Sequence, residues 1–348
     1  LATLGDSGRL LVDAAPLADL WTALGRQFGD PRLRQLFARF STYVGGSPML
    51  SPALLMLIWW SEAAGVWTVE GGMRALARKV AALAEARGAE FRYETPAEEI
   101  LVENGRAVGV RPKGGEAIRA GAVLFAGDPA ALAAGRLGAA LRRAAPEMPR
   151  RRRSYSAWVW TWAAEPEGVP LSHHTVFFSP DYPAEFADLD RRRRPPADPT
   201  LYICAQDRPA RADAAAPQGP ERLLMILNAP ADGDRGAPDP EEIERCTTTS
   251  FARLRASGLR LSPPDLTRTP EALTTPDRFE AMFPATGGAL YGANPHGAMA
   301  TFRRPTARST LPGLYLAGGG CHPGPGAPMA TRSGRLAAAA IMRDRAST

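Results

Sequence analysis

"GLYLAGGGCHPGPGAPMATRSGRLAAAAIM", Gly313 to Met342, reads as a short buried strand (Leu314 to Ala317), a glycine-dense loop and an alanine-rich helix. Six glycines fall within the fourteen residues from Gly313 to Gly326. Glycine lets backbone approach a bulky group without a Cβ clash. Pro323 and Pro325 stiffen the turn, and Pro328 suits the first turn of a helix. The positive end of that helix would face whatever the loop holds, so the segment predicts an anion- or phosphate-binding turn. In a dinucleotide-binding fold the diagnostic turn, G-x-G-x-x-G, opens the first βαβ unit. No G-x-G-x-x-G occurs in these 348 residues.

Working back from the loop, "YETPAEEILVENGRAVGVRPKGGEAIRAGAVLFAGDPAAL" predicts a three-stranded meander. Its first hairpin turns at Asn104-Gly105, the strongest short hairpin signal. A buried strand follows at Val123 to Phe125, and Asp128-Pro129 starts a helix. Before the meander, "GGMRALARKVAALAEARG" predicts an amphipathic helix ending at Gly88, with a short strand at Glu90 to Tyr93. Residues 1–65 read as helical. Asp30-Pro31 starts a helix with Leu33, Leu36, Phe37 and Phe40 on one face, and Ser51 is the expected N-cap of a helix from Pro52. That helix is apolar nearly all round, which predicts burial or a greasy neighbour. Between the meander and the loop, "SYSAWVWTWAA", "HTVFFSP", "TLYICAQ" and "RLLMILNAP" predict four strands of a second sheet, with a helix between Asp239 and Gly258.

Composition bounds the rest. A chain of 348 residues, 45% hydrophobic and 22% charged, is globular and long enough for two cores. The formal charge of +6 comes almost wholly from arginine, since Lys79 and Lys113 are the only lysines; together with the alanine, glycine and proline content this reads as GC-rich coding. The arginine runs 150–153 and 191–194 lack interleaved aromatics and any nucleic-acid motif, so no nucleic-acid partner is expected. Cys204, Cys246 and Cys321 are widely spaced, which argues for a reducing, cytoplasmic compartment. His173, His174, His296 and His322 make no metal-ligand signature with them, and no metal is expected. The longest apolar run, Ala53 to Trp60, is too short to span a bilayer. The chain opens on Leu1 and reads as a fragment or a processed product.

The loop, with "STYVGGSPMLSPALLMLIWWSEAAGVWTVEGGMRALARKV", "HHTVFFSPDYPAEFADL" and "FPATGGALYGANPHGAMATFRRPTARSTLPG", resembles the bacterial phytoene desaturase-type carotenoid desaturases over almost the whole chain. Within that family it is most similar to the hydroxyneurosporene/methoxyneurosporene desaturase branch, which introduces a 3,4 double bond into 1-hydroxy or 1-methoxy carotenoids. The resemblance implies an α/β (mixed α+β) fold: a two-dinucleotide-binding-type FAD domain, incomplete here, with an inserted substrate domain of mixed sheet plus helices. Residues 66–150 and 309–348 would form the FAD unit, and 1–65 with 151–308 the substrate unit. On that layout the family's N-terminal βαβ is missing, so the glycine loop is one half of a divided site. This fragment alone would be inactive.

The resemblance places Gly318, Gly319 and Gly320 by the FAD pyrophosphate and ribityl chain. Pro323, Gly324, Gly326, Ala327, Pro328 and Met329 would lie around the flavin ring, and Ala97 by the adenine. Gly71 and Gly72 fit either flavin proximity or plain helix entry. The implied reaction is desaturation of a linear, lipid-soluble carotenoid by hydride transfer to flavin, at the face of an inner or photosynthetic membrane. Residues 33–63 and the sheet of 155–227 would line the tunnel. His296, beside the glycine-rich "GGALYG", is the one candidate for a catalytic base, and a structural role suits it better. "ANPHGAM" lacks the bulkier aromatic expected near Ala298. Two rival readings are a phytoene desaturase with another carotenoid substrate and a non-catalytic carotenoid- or partner-binding remnant. Oligomeric state is not legible.

Overall fold

The computed structural model describes residues 18–208 and 217–346; the helical reading of 1–17 lies outside them. Two short helices open the described chain, α1 (Leu20–Gln27) and α2 (Pro31–Ala38). Each is capped by an aspartate: Asp19 accepts the Thr22 N–H and Asp30 the Arg32 N–H. The apolar α2 face is half-open, with Leu33 and Leu36 more than 40% exposed. Ser51 is not a helix cap. Its hydroxyl is buried against that of Ser41 at 2.6 Å, and a 3₁₀ turn at Ala53–Leu55 starts without a side-chain cap. The helix α3 (Met56–Ala63) follows, with no buried residue.

Next comes α4 (Gly72–Glu85), entered through Gly71 and Gly72 at φ +76° and ending before Gly88 in the left-handed region. It too has no buried residue: Met73, Leu76, Val80 and Leu83 form an exposed stripe at 3–4-residue spacing. No strand forms at Glu90 to Tyr93. A strand needs an edge to pair with, and none runs beside this segment among the described residues.

The meander is as predicted: β1 (Ala97–Glu103), β2 (Arg106–Pro112) and β3 (Ile118–Arg119) pair in order. Asn104 and Gly105, at φ +48° and +72°, make its two-residue turn. Strand β4 (Val123–Phe125) leads through Asp128, which caps Ala130, into α5 (Pro129–Ala133). It is only half-buried, with Leu124 44% exposed, where the sequence predicted burial.

A five-stranded sheet fills the centre of the chain. It contains β5 (Ser156–Ala164), β7 (His174–Phe177), β8 (Leu201–Ala205) and β9 (Glu221–Ala229). Between the first two, β6 (Glu167–Gly168) pairs outside this sheet, and α6 (Tyr182–Ala187) follows β7. The helix α7 (Pro240–Ala256), capped by Asp239, covers one sheet face; β10 (Leu259–Arg260) then pairs with β6, and β11 (Leu273–Thr274) extends the sheet to the order β11-β5-β9-β8-β7. The helix α8 (Pro276–Met282) leads to the last two elements, β12 (Leu314–Leu316) and α9 (Ala327–Ala346).

The strand alternation explains where the cores lie. Trp158, Trp160, Leu201, Ile203, Met225 and Leu227 point to one face and pack with Phe251 and Leu254 of α7. The opposite face carries Val176, Tyr202, Leu224 and Ile226, all partly accessible. A second core joins the meander to the C-terminus through Ile100, Leu132, Leu141, Leu314, Leu316 and Cys321. A third joins Leu20, Leu24 and Ala38 to Tyr155, Tyr182 and Phe186. The arginine runs are tied into the same domain: Arg150 and Arg153 bond Asp234, Arg193 grips Asp232, and Arg192 and Arg194 share Asp188.

Glu185 in α6 is 2% exposed; its Oε2 accepts the Thr200 hydroxyl and its Oε1 has no partner. Burial raises its pKa to about 7, against the lowering effect of the Thr200 bond. The native state therefore holds a proton that the unfolded chain gives up near its ordinary value, so stability falls as pH rises from about 4.5 to about 7. Glu185→Gln keeps the shape and removes the titration. It is expected to stabilise by roughly 2 kcal/mol more at about pH 8 than at about pH 5 in urea unfolding. Equal effects at both pH values would refute this.

Candidate functional site

The glycine loop joins β12 to α9. Strand β12 pairs in parallel with β4, Leu314 opposite Val123 and Leu316 opposite Phe125. The loops leaving the two strands therefore lie side by side, as at the carboxyl ends of an open α/β sheet. Gly318 has φ +112°, and a Cβ there would stand 3.1 Å from the Ala126 carbonyl oxygen. At Gly320 a Cβ would stand 2.7 Å from Pro129 Cδ. These two glycines let the loop press against the β4–α5 turn, a constraint imposed by protein packing as well as by any ligand. Gly326 differs. Its φ is +100° and the space beside it is open to 4 Å.

Two side chains hold the loop. Ser333 Oγ accepts the Gly318 N–H at 3.2 Å. Arg304, 6% exposed, donates to the carbonyls of Tyr291 and Gly319 at 3.0 Å and of Ala293 at 2.7 Å. Burial lowers its pKa, while nearby Asp128 works the other way; burial raises Asp128. Cys321 is buried, with its thiol pushed up to about 12, so it packs as an inert apolar group. Sequence reasoning missed Arg304 and Ser333, and read Asp128 only as a helix start. Arg304 was one arginine among forty, and only the fold brings three carbonyls around it.

The predicted loop residues differ in exposure. Gly318, Gly319, Gly320 and Pro323 are partly accessible, Gly324 is buried, and Gly326, Ala327, Pro328 and Met329 are exposed at the start of α9. The N–H groups of Ala327 and Met329 have no carbonyl one turn back in the helix, which leaves donors facing outward. The open space at Gly326 beside these donors would admit an anionic group close to the backbone. Ala97 stands apart from the loop, exposed at the start of β1 opposite Pro112. His296 does not join it either: its Nε2 accepts the Ser47 N–H at 3.0 Å, and burial lowers its pKa to about 4. The ring is neutral at physiological pH and its lone pair is engaged.

Parallel strands with a glycine turn at their carboxyl ends, beside a large antiparallel sheet, make a mixed α/β fold with a turn of the nucleotide-binding kind. Residues 22–342 match the family of flavin containing amine oxidoreductases, and the chain belongs to that family. FAD is the cofactor that goes with it. The chain is 51% identical over 97% of its length to the hydroxyneurosporene desaturase of Rubrivivax gelatinosus, and 49% identical over 92% to that of Cereibacter sphaeroides. It is 30% identical over 90% to the 1-hydroxycarotenoid 3,4-desaturase of a Flavobacterium species. It spans 64%, 63% and 63% of the lengths of those proteins.

Proposed function

We propose that this chain carries the glycine-loop half of the flavin site and the substrate-binding part of an FAD-dependent carotenoid desaturase. The substrate class is linear 1-hydroxy or 1-methoxy carotenoids such as hydroxyneurosporene, desaturated at the 3,4 bond. The observation that carries the reading is 51% identity to the Rubrivivax protein across 97% of this chain. In this reading residues 66–150 and 309–348 form the FAD unit, and 1–65 with 151–308 the substrate unit. The core shared by the meander, β12 and Cys321, separate from that of the five-stranded sheet, supports the division.

A polyene offers almost no polar handle, so its binding rests on apolar area, at ~25 cal/mol per Å² removed from water. The sheet face of Val176, Tyr202, Leu224 and Ile226 supplies such a wall. Bound flavin supplies the hydride acceptor. The protein's part is alignment and exclusion of water. The α9 N-terminus and the loop amides of Gly319, Gly320 and Gly326 would steady negative charge on the cofactor, while Gly318, its N–H held by Ser333, would let the backbone pass close to it. Gly324 and Pro323 would shape the turn, and Ala97 would border the adenine. No residue is assigned as base, because the His296 lone pair is engaged by Ser47.

The test is product analysis. The chain, joined to the βαβ unit of a relative, is produced in bacteria that accumulate hydroxyneurosporene, neurosporene or phytoene, and pigments are separated by chromatography. A longer chromophore from hydroxyneurosporene alone is the expected result. Background conversion is read from the empty-vector strain; conversion of phytoene instead favours the phytoene desaturase rival, and carotenoid bound without flavin favours the remnant.

No helix among the described residues is long and apolar enough to cross a membrane. A lipid-soluble substrate must still be loaded from a bilayer, and α3 is suited to the membrane face. Trp59 is 43% exposed, edge-on to Phe37, and Trp60 is 60% exposed; tryptophan favours the interface. Co-sedimentation with anionic liposomes is expected, weaker at high salt and severalfold weaker in Trp59→Ser/Trp60→Ser. Unchanged binding by the folded double variant would place the contact elsewhere.

A further inference from the structure

Away from the glycine loop, the fold brings together three donor groups that the sequence keeps apart. His174 and Cys204 face each other across the β7–β8 ladder, and His173 lies at the entry to β7. One candidate ligand atom from each of the three lies within 4.8 Å of the others. His173 and His174 meet edge to face at 4.4 Å.

Hydrogen bonding orients His173 for ligation. Its Nδ1 stands 2.6 Å from the Arg208 carbonyl oxygen. A carbonyl only accepts, so Nδ1 carries the proton and Nε2 the lone pair. Nε2 is the atom 3.8 Å from Cys204 Sγ. Around a tetrahedral zinc ion, with bonds of about 2.1 Å to nitrogen and 2.3 Å to sulfur, such a pair sits roughly 3.6 Å apart. Metal-bound histidines commonly donate their second nitrogen to a carbonyl in this way. The Tyr202 hydroxyl, 2.7 Å from His174 Nδ1 and on the same sheet face as Cys204, gives the second imidazole a fixed neighbour. His173 and Cys204 are partly buried and His174 is exposed, so an ion can enter from solvent.

We propose that His173 Nε2, the His174 imidazole and the Cys204 thiolate form a zinc site, with water in the fourth position. Two imidazoles and a thiolate suit Zn²⁺ and exclude the oxygen-seeking Mg²⁺ and Ca²⁺. Binding replaces the Cys204 S–H proton by the ion and releases it to solvent. The ion would pin the edge strand β7, with the turn before it, to β8.

The test uses the whole chain, stripped with chelator and dialysed against Zn²⁺. One zinc ion per chain is expected, with affinity reduced roughly tenfold or more in Cys204→Ser and in His173→Gln. Cys246→Ser, which removes a buried thiol outside the cluster, should bind as the parent does. Cobalt(II) provides a second readout that needs no variant to fold. It should give a thiolate charge-transfer band and tetrahedral d–d absorption, and it should protect Cys204, located by peptide mapping, from alkylation. Zinc retention unchanged by Cys204→Ser and His173→Gln overturns the proposal, as does cobalt binding without the thiolate band. Uptake of Cu⁺ but not Zn²⁺ overturns the assignment to zinc.

Discussion

Replacing Arg304 by methionine is expected to lower stability by roughly 3–5 kcal/mol, because a buried guanidinium then ceases to satisfy three carbonyls at once. Those carbonyls belong to Tyr291, Ala293 and Gly319, so the change also unties the glycine loop from the 291–293 segment. Asp128 loses the nearby charge that opposes its desolvation. Urea unfolding measures the first effect, and flavin content after purification of the protein joined to a βαβ unit measures the second. Arg304→Lys should fall between parent and methionine variant, since an ammonium cannot reach three carbonyls with a planar fork. A loss under about 1 kcal/mol for the methionine variant would show that water replaces the guanidinium, and that the loop is held mainly by Ser333.

The second large effect concerns FAD itself. Residues 1–348 alone are expected to hold FAD weakly. Joining a G-x-G-x-x-G βαβ unit from a relative to the N-terminus should tighten binding roughly a hundredfold, about 2.7 kcal/mol. The α9 N-terminus provides one set of amide donors, and a second helix N-terminus would provide another. The structure also presents surface suited to such a unit: the stripe of Met73, Leu76, Val80 and Leu83 on α4, and Leu124 on the half-open β4. Protein fluorescence quenching and flavin absorbance of the purified chains measure the difference. Near-stoichiometric, tight FAD binding by residues 1–348 alone would refute the divided site.

Local signals proved reliable where one short segment settles its own conformation. Asp30-Pro31 and Asp239-Pro240 start helices because an aspartate caps and a proline needs no donor. Asn104-Gly105 makes its turn because both residues tolerate positive φ. The four central strands appear where alternating or continuous apolar residues stood. The failures are of another kind. Glu90 to Tyr93 has strand-like residues and no strand to pair with. Ser51 has a capping side chain, yet Ser41 claims its hydroxyl. Leu33 and Leu36 sit on a helical apolar face that stays half-open. Each depends on what a distant segment places beside it.

The same division runs through the candidate site. The glycines from 318 to 326, the prolines among them and the helix after them were legible in one contiguous stretch, because a tight turn into a helix is a local property of backbone. What holds that stretch was not. Arg304 reaches Gly319 only after the chain has folded back, and Ser333 takes the Gly318 N–H from within α9. His296, singled out beside a glycine-rich segment, has its lone pair taken by the Ser47 N–H. His173, His174 and Cys204 carried no sequence signature; the β7–β8 register sets His174 opposite Cys204. Sequence alone determined the tight turns, the aspartate caps, the strand alternation and the glycine-dense turn into a helix, since these follow from φ preference and side-chain period. Only the tertiary structure decided which buried charges and donor atoms meet, because that depends on strand register and on segments far apart in the chain.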